Sequence, residues 1–280
     1  MPELPELEAH AERLDARYAG ATLARFTPLT FTALKTAVPP PSDAEGHALV
    51  FVSRRGKHLL LDFGELTFVV HLMQGGRLKE EPAGKQPAKP KTGLARWIFE
   101  DGRSLLLTEA GSERRAGVWA VAGDPEVQPP LDGLGPDADT VDPVRLLDLL
   151  HAHPMRLHSW LRDQRVIAGL GRRLANEICH RARLSPFAST AKLTDADAAS
   201  IVEAIQTCVN ESLAYERGRD DMSSSADRPG SVHHREGQPC PVCGDTIRAV
   251  EFRSYTVDYC PTCQTKGKVL ADNTTSKFLK

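Results

Sequence analysis

The feature that most constrains this chain is a set of four cysteines near its C-terminal end: Cys240-Pro-Val-Cys243 and Cys260-Pro-Thr-Cys263, with 16 residues between the pairs. That is the spacing at which two cysteine knuckles meet across a hairpin and present four sulfurs in a tetrahedron. Two disulfides are the alternative. The chain opens with Glu3 and Glu6 instead of a basic segment followed by an apolar one, so a secreted, oxidising setting is not expected. The expectation is one zinc ion held by Cys240, Cys243, Cys260 and Cys263. Four thiolates close its coordination shell, which makes the metal structural. In isolated modules such a site contributes on the order of 10 to 16 kcal/mol of folding energy, enough to order a hairpin with little core of its own. The two remaining cysteines, Cys179 and Cys208, stand alone in helix-like segments and read as small buried hydrophobes.

The rest of the 280 residues divides by pattern. From Glu6 to Tyr18, Leu7, Ala11, Leu14 and Tyr18 form one apolar helical stripe. Leu59–Phe63 with Leu66–Leu72, and Trp97–Phe99 with Ser104–Leu107, read as hairpins, so residues 1–122 are expected to form a β-rich domain behind a leading helix. Lys79–Thr92, rich in Pro and Lys, is expected to be a mobile basic loop. Residues 123–142 carry six acids, no Lys or Arg, and several Pro and Gly, and read as a linker. Helical patterns follow at Val144–His151, Leu157–Asp163, Arg173–Arg183 and Asp195–Leu213, the last capped by Thr194, giving a helical domain over 143–236. Arg219–Gly230 is expected to be a flexible loop, the cysteine hairpin to occupy 237–267, and 268–280 to be a disordered tail.

Net charge is only −2, which on average argues against a polyanionic partner. Local charge argues otherwise. Residues 156–183 carry seven arginines against Asp163 and Glu177. Such a split gives one acidic stretch and one that neutralises phosphates. No apolar run is long enough to span a membrane, and a cytoplasmic protein with reduced thiols is expected.

Taken in order, Met-Pro2-Glu3-Leu4-Pro5-Glu6, Arg55-Gly56-Lys57, Leu134-Gly135-Pro136-Asp137, Asp163-Gln164, Gly169-Leu170-Gly171 before a helix with Glu177, and the cysteine hairpin resemble the formamidopyrimidine-DNA glycosylase and endonuclease VIII family over nearly the whole chain. The resemblance implies an α+β, multidomain fold: an N-terminal β-sandwich with a leading helix, a helical domain with a helix-two-turn-helix motif, and the zinc-finger hairpin. It implies a monomer acting on double-stranded DNA with damaged bases or abasic sites, as a base-excision-repair glycosylase and abasic-site lyase. Oxidised purines such as 8-oxoguanine and formamidopyrimidine are the first expectation. Oxidised pyrimidines are the second, and a catalytically silent damaged-DNA binder is an alternative of another class.

Chemistry supports the enzyme. Removal of Met1 leaves Pro2 a free secondary amine, which attacks sugar C1′ and forms an imine. Glu3 is the adjacent general acid and base. Lys57 resembles the family's hairpin lysine at the phosphate near the lesion, and Glu6 its second opening acid. Gly171 and Arg172 open a helix whose amides suit a phosphate. An extruded base leaves a hole in the duplex, and Gln74 and Arg114 are the side chains expected to fill it.

The chain departs from the family pattern at several points. Arg172 replaces an Asn, Ala116 an aromatic wedge, His158 a Lys, and Tyr255 the finger's phosphate-binding Arg, for which Arg253 is the expected substitute.

Overall fold

The structure, a computed structural model, describes residues 1–84, 88, 90–111, 114–222, 227–252 and 255–270. The chain forms two compact units: residues 1–133 with 216–223, and residues 134–215 with 224–280.

The first unit begins with α1 (Leu4–Tyr18), whose apolar stripe is buried through Leu7, Ala11, Leu14 and Tyr18. Two four-stranded antiparallel sheets follow. One runs β1 (Leu23–Pro28), β6 (Gly93–Phe99), β7 (Ser104–Glu109), β5 (Gly76–Glu81). The other runs β2 (Phe51–Arg55), β3 (His58–Asp62), β4 (Leu66–His71), β8 (Gly117–Ala122). Alternate residues such as Leu59, Leu61, Phe68 and Val70 on the second sheet join Phe26, Trp97, Leu105 and Leu107 of the first in a single core. Phe68 stacks on Phe26 at 4.8 Å and meets Trp97 edge-on at 5.6 Å, an aromatic contact that joins the two sheets. The expected sandwich with a leading helix is what forms. Gly64 and Gly102 turn the two expected hairpins at φ 87° and 84°, a region that favours glycine.

Two expectations about this unit change. Lys79–Glu81, assigned to a basic loop, is the end of β5, where Lys79 pairs with Leu106 and Glu81 with Ser104. The charged side chains misled the reading, since β5 buries only Gly76 and Leu78 and shows solvent its Lys and Glu. Of the loop's remainder, residues 85–87 and 89 lie outside the described residues. The acidic stretch also holds more structure than a linker needs, with Leu131, Ala138 and Val141 buried.

The second unit holds α2 (Pro143–Ala152), α3 (Leu157–Trp160), α4 (Arg172–Arg181) and α5 (Asp195–Arg217), the last running on into the residues grouped with the first unit. Asp142 caps α2 by accepting the Arg145 amide at 2.9 Å. Thr194 caps α5 as expected, exchanging bonds with Asp197 in a capping box. Between α3 and α4 the chain makes two successive turns, so α3 stops at Trp160 instead of reaching Asp163. The finger is a hairpin of β9 (Arg248–Glu251) and β10 (Thr256–Tyr259), followed by α6 (Pro261–Thr265). Helix α4 anchors it. Glu177 accepts the amides of Ser231, Val232 and His233 at 2.8 to 3.1 Å, and Asn176 donates to the buried Asp258 carboxylate of β10 at 3.1 Å. Among the described residues no helix is long and apolar enough to cross a membrane.

Candidate active site

The N-terminus is held by the start of α1. Pro2 is buried, and Glu3 and Glu6 are only 4% and 1% exposed. They form a capping box: the Glu3 side chain accepts the Glu6 amide, and Glu6 Oε2 accepts the Glu3 amide at 2.9 Å. Two buried carboxyls therefore lie beside the chain terminus. Both carboxyls help close the helix start, and Glu3 directly follows Pro2 in the chain.

Lys57 comes to this region through a two-residue turn, Gly56-Lys57, between the paired residues Arg55 and His58; Gly56 takes φ 55°. The residue that ties the site together is His71, opposite His58 across β3 and β4 with ring centroids 4.7 Å apart. Burial, helped by the positive charges of Lys57 and of the N-terminal amine, lowers the His71 pKa to about 4. The terminal amine, Lys57 and His71 thus lie within electrostatic reach of one another. His71 Nδ1 accepts the Met73 amide at 3.1 Å, which puts the neutral ring's proton on Nε2. The sequence placed His71 in the segment leading to Gln74 without giving it a role. Its partners Lys57 and the terminus are distant in sequence, so only strand register reveals it.

Gln74 is exposed on the tight turn that follows, where Met73 takes φ 51° and the Gly76 amide bonds the Leu72 carbonyl at 2.8 Å. A Cβ on Gly76 would stand 2.1 Å from that carbonyl oxygen, so the turn needs glycine there. Arg114 has φ 44° and donates to the Lys91 carbonyl at 2.9 Å. Ala116, at the position of the family's wedge, turns inward. It is 1% exposed within the core, its amide bonded to the Glu109 carboxylate at 2.7 Å.

In the second unit, Gly171 is the N-cap of α4 and has no side chain with which to close it; Arg172 is the first helical residue and half-buried. The Gln164 amide organises the approach, donating to the Arg162 and Leu170 carbonyls and accepting the Gly169 amide at 2.9 to 3.0 Å. His158 is buried beneath Tyr255 with its pKa lowered to about 3, chiefly by desolvation, so it carries no charge toward a phosphate. Arg253 lies outside the described residues.

The finger's sulfurs fit zinc. Cys240 and Cys263 Sγ lie 3.9 Å apart, Cys243 and Cys260 Sγ 3.4 Å. These bracket the roughly 3.8 Å edge of a tetrahedron with zinc–sulfur bonds of about 2.3 Å. The Asp245 amide, as the main cause, holds the Cys243 thiol below its ordinary pKa, and the Cys263 amide points at Cys260 Sγ at 3.5 Å. Sequence reading missed His180, on the buried face of α4, whose Nε2 lies 3.3 Å from Cys240 Sγ. With four thiolates available, its place is that of a supporting partner to the Cys240 sulfur. Cys179 and Cys208 are buried, and burial pushes both thiols up, Cys208 to about 12.

Three family models match the chain: the formamidopyrimidine-DNA glycosylase N-terminal domain over residues 1–119, its H2TH domain over 133–224, and the zinc finger found in FPG and IleRS over 237–266. A formamidopyrimidine-DNA glycosylase of Thiobacillus denitrificans is 32% identical over 276 residues, spanning 94% of this chain and all of the relative. An uncharacterized formamidopyrimidine-DNA glycosylase-like protein of Mycobacterium tuberculosis is 41% identical over 162 residues, 57% of this chain and all of that one. Among solved structures, the MutM (FPG) protein of Thermus thermophilus superposes with a TM-score of 0.80 at 28% identity, covering 94% of this chain and 98% of that one. The Lactococcus lactis formamidopyrimidine-DNA glycosylase bound to DNA with an AP site shares the fold, with a TM-score of 0.80 at 20% identity over 94% of this chain and 99% of the other. The chain belongs to the formamidopyrimidine-DNA glycosylase family, base-excision-repair DNA glycosylases for which abasic-site lyase activity is standard.

Proposed function

We propose that this protein excises oxidised bases from double-stranded DNA, purines such as 8-oxoguanine and formamidopyrimidine before pyrimidines, and then cleaves the abasic site through an imine on Pro2. The observation that carries the reading is the convergence of the chain terminus with Lys57 and His71 beside the buried Glu3. After loss of Met1, the Pro2 nitrogen attacks C1′ and the damaged base departs, its leaving nitrogen taking up a proton. Glu3 protonates the ring oxygen as the sugar opens to the imine. Loss of a C2′ proton expels the 3′ phosphate, a second elimination expels the 5′ phosphate, and water hydrolyses the imine to free Pro2. Lys57 holds a phosphate near the lesion, and Gln74 and Arg114 fill the hole left by the extruded base, Arg114 by exchanging the Lys91 carbonyl for DNA. Gly171 and Arg172 take a phosphate at the start of α4, with Arg253 as a contact of the finger.

Cys240, Cys243, Cys260 and Cys263 would hold one structural zinc, whose role is to order the finger. The protein acts as a monomer in the cytoplasmic compartment that holds the chromosome, and its domains run 1–122, 143–236 and 237–267.

Borohydride trapping tests the reading. Protein with a free Pro2 should crosslink to duplexes carrying 8-oxoguanine, formamidopyrimidine or an abasic site, leaving a gap with phosphate at both ends. A tag fused to the N-terminus should abolish the adduct. Equal trapping by tagged protein would make a lysine the nucleophile; pyrimidine lesions trapping best would reverse the substrate order; no trapping on any duplex would leave a silent binder.

A further inference from the structure

Two described arginines place the guanidinium over an aromatic ring. Arg103, over Tyr18 at 4.6 Å, is also bonded to the Asp101 carboxylate at 2.7 Å. Arg162 lies over Tyr255 at 4.2 Å, and among the described residues no carboxylate or carbonyl takes up its guanidinium N–H groups. Other arginines of the same unit are committed: Arg181 to Glu211, Arg165 to Asp163, Arg156 to the Phe187 carbonyl. The Tyr255 ring is itself fixed, stacked on Phe252 at 4.7 Å with an 11° angle between planes, and near-parallel to His158 at 6.1 Å. A guanidinium held over a braced ring has its position fixed while its N–H donors stay available, and such a planar fork can meet two oxygens of a phosphate.

Position within the fold gives that fork a target. Gln164 bonds the Arg162 carbonyl and the Leu170 carbonyl through one amide nitrogen, so Arg162 and the glycine turn that opens α4 are tied to one side chain. An uncapped helix start attracts anions, and Gln164 ties the backbone of the half-exposed Arg162 to the turn that leads into it.

We propose that Arg162 binds a DNA backbone phosphate, with Tyr255 as the positioning residue that braces its guanidinium, next to the phosphate taken by the start of α4. This rests on the reading of the chain as a DNA-repair glycosylase. It accounts for a phosphate grip on a finger-facing surface where Tyr255 and a neutral, buried His158 supply no charge of their own.

Equilibrium binding of the full-length, zinc-loaded protein to labelled duplexes, one carrying a tetrahydrofuran abasic analogue and one undamaged, decides the matter. Over about 50 to 200 mM salt, Arg162→Ala should weaken both duplexes by about tenfold at the low end and reduce the log–log salt slope by about 0.9, one released counterion. Arg162→Gln, closer in shape, should lose the same slope, and the thermal midpoint of each variant shows that it is folded. Arg162→Lys should keep the slope while losing part of the affinity. Tyr255→Phe should match wild type, whereas Tyr255→Leu should lose severalfold in affinity with the slope kept, because the charge is present but no longer braced. Affinity within twofold of wild type and an unchanged slope in both neutral variants would overturn the proposal and leave the enzymatic reading standing. A discrimination confined to the abasic duplex would also overturn it, since a phosphate contact carries no lesion information. Wild-type protein that binds neither duplex would remove the reading on which it rests.

Discussion

Helices α1 and α4 begin in opposite ways. The start of α1 is closed: Glu3 and Glu6 satisfy each other's amides and are buried. The start of α4 is Gly171, which brings no side chain to the helix end, followed by two arginines. A helix N-terminus attracts negative charge in either case. In α1 the chain supplies that charge itself; in α4 no side chain caps the helix start. On the proposed function, the first start serves chemistry and the second takes an external anion.

The largest effect is expected where the closed helix start doubles as the reacting site. Glu3→Gln should lower base excision by roughly two to four orders of magnitude, the range for loss of a general acid or base, while cleavage of a preformed abasic site falls less. Glu6→Gln should cost about 1 kcal/mol of stability, as a lost cap does, with a much smaller change in turnover. Single-turnover kinetics on both substrates, with thermal midpoints, separates the two. Equal losses in both variants would erase the division of labour within the capping box.

A smaller effect tests the open end. Gly171→Asp would give α4 the kind of start that α1 has, with a carboxylate where a phosphate should go. DNA affinity should fall about tenfold, and stability should rise by a few tenths of a kcal/mol, the gain expected when a capping side chain replaces Gly. Tighter DNA binding by this variant would show that α4 meets no phosphate.

The smallest concerns pH. In the first unit His10, His58 and His71 have pKa values lowered to about 4, 3 and 4, with burial the leading cause in each. Below about 6.5 the unfolded chain takes up protons that the folded unit refuses, so their contribution to stability is present above pH 6.5 and declines as pH falls toward 4. The melting midpoint should drop over that interval, and His71→Asn should shallow the slope. A midpoint flat from pH 6.5 to 4 would mean that these rings are charged in the folded protein, at odds with the closed, desolvated site around α1.

What the sequence revealed and what it concealed divide along the same physical line. Patterns local in sequence were readable: the apolar stripe of α1, the hairpins around Gly64 and Gly102, the Thr194 cap and the cysteine spacing. Whatever depended on register between distant strands was not. His71 meets Lys57 only because β3 pairs with β4, and Ala116, next to two arginines in sequence, turns into the core. Nor could the pattern foretell that β5 keeps a charged end, because an edge strand with one wet face buries only alternate residues. The Tyr255 platform is of the same kind, since His158 and Arg162, which pack on its ring, lie about a hundred residues earlier in the chain.

Residues 216–223 have a consequence of another sort. They start with the last two residues of α5 and are grouped with the first unit, where Met222 is 7% exposed in the core and Arg13 donates to the Glu216 carbonyl at 2.9 Å. The polypeptide therefore passes between the units at 133/134, at 215/216 and at 223/224. A gene fragment ending at residue 133 would encode a unit missing a piece of its own interior, and loss of a buried methionine side chain alone costs about 2 to 5 kcal/mol. The first unit therefore cannot be carried by one continuous stretch of the gene.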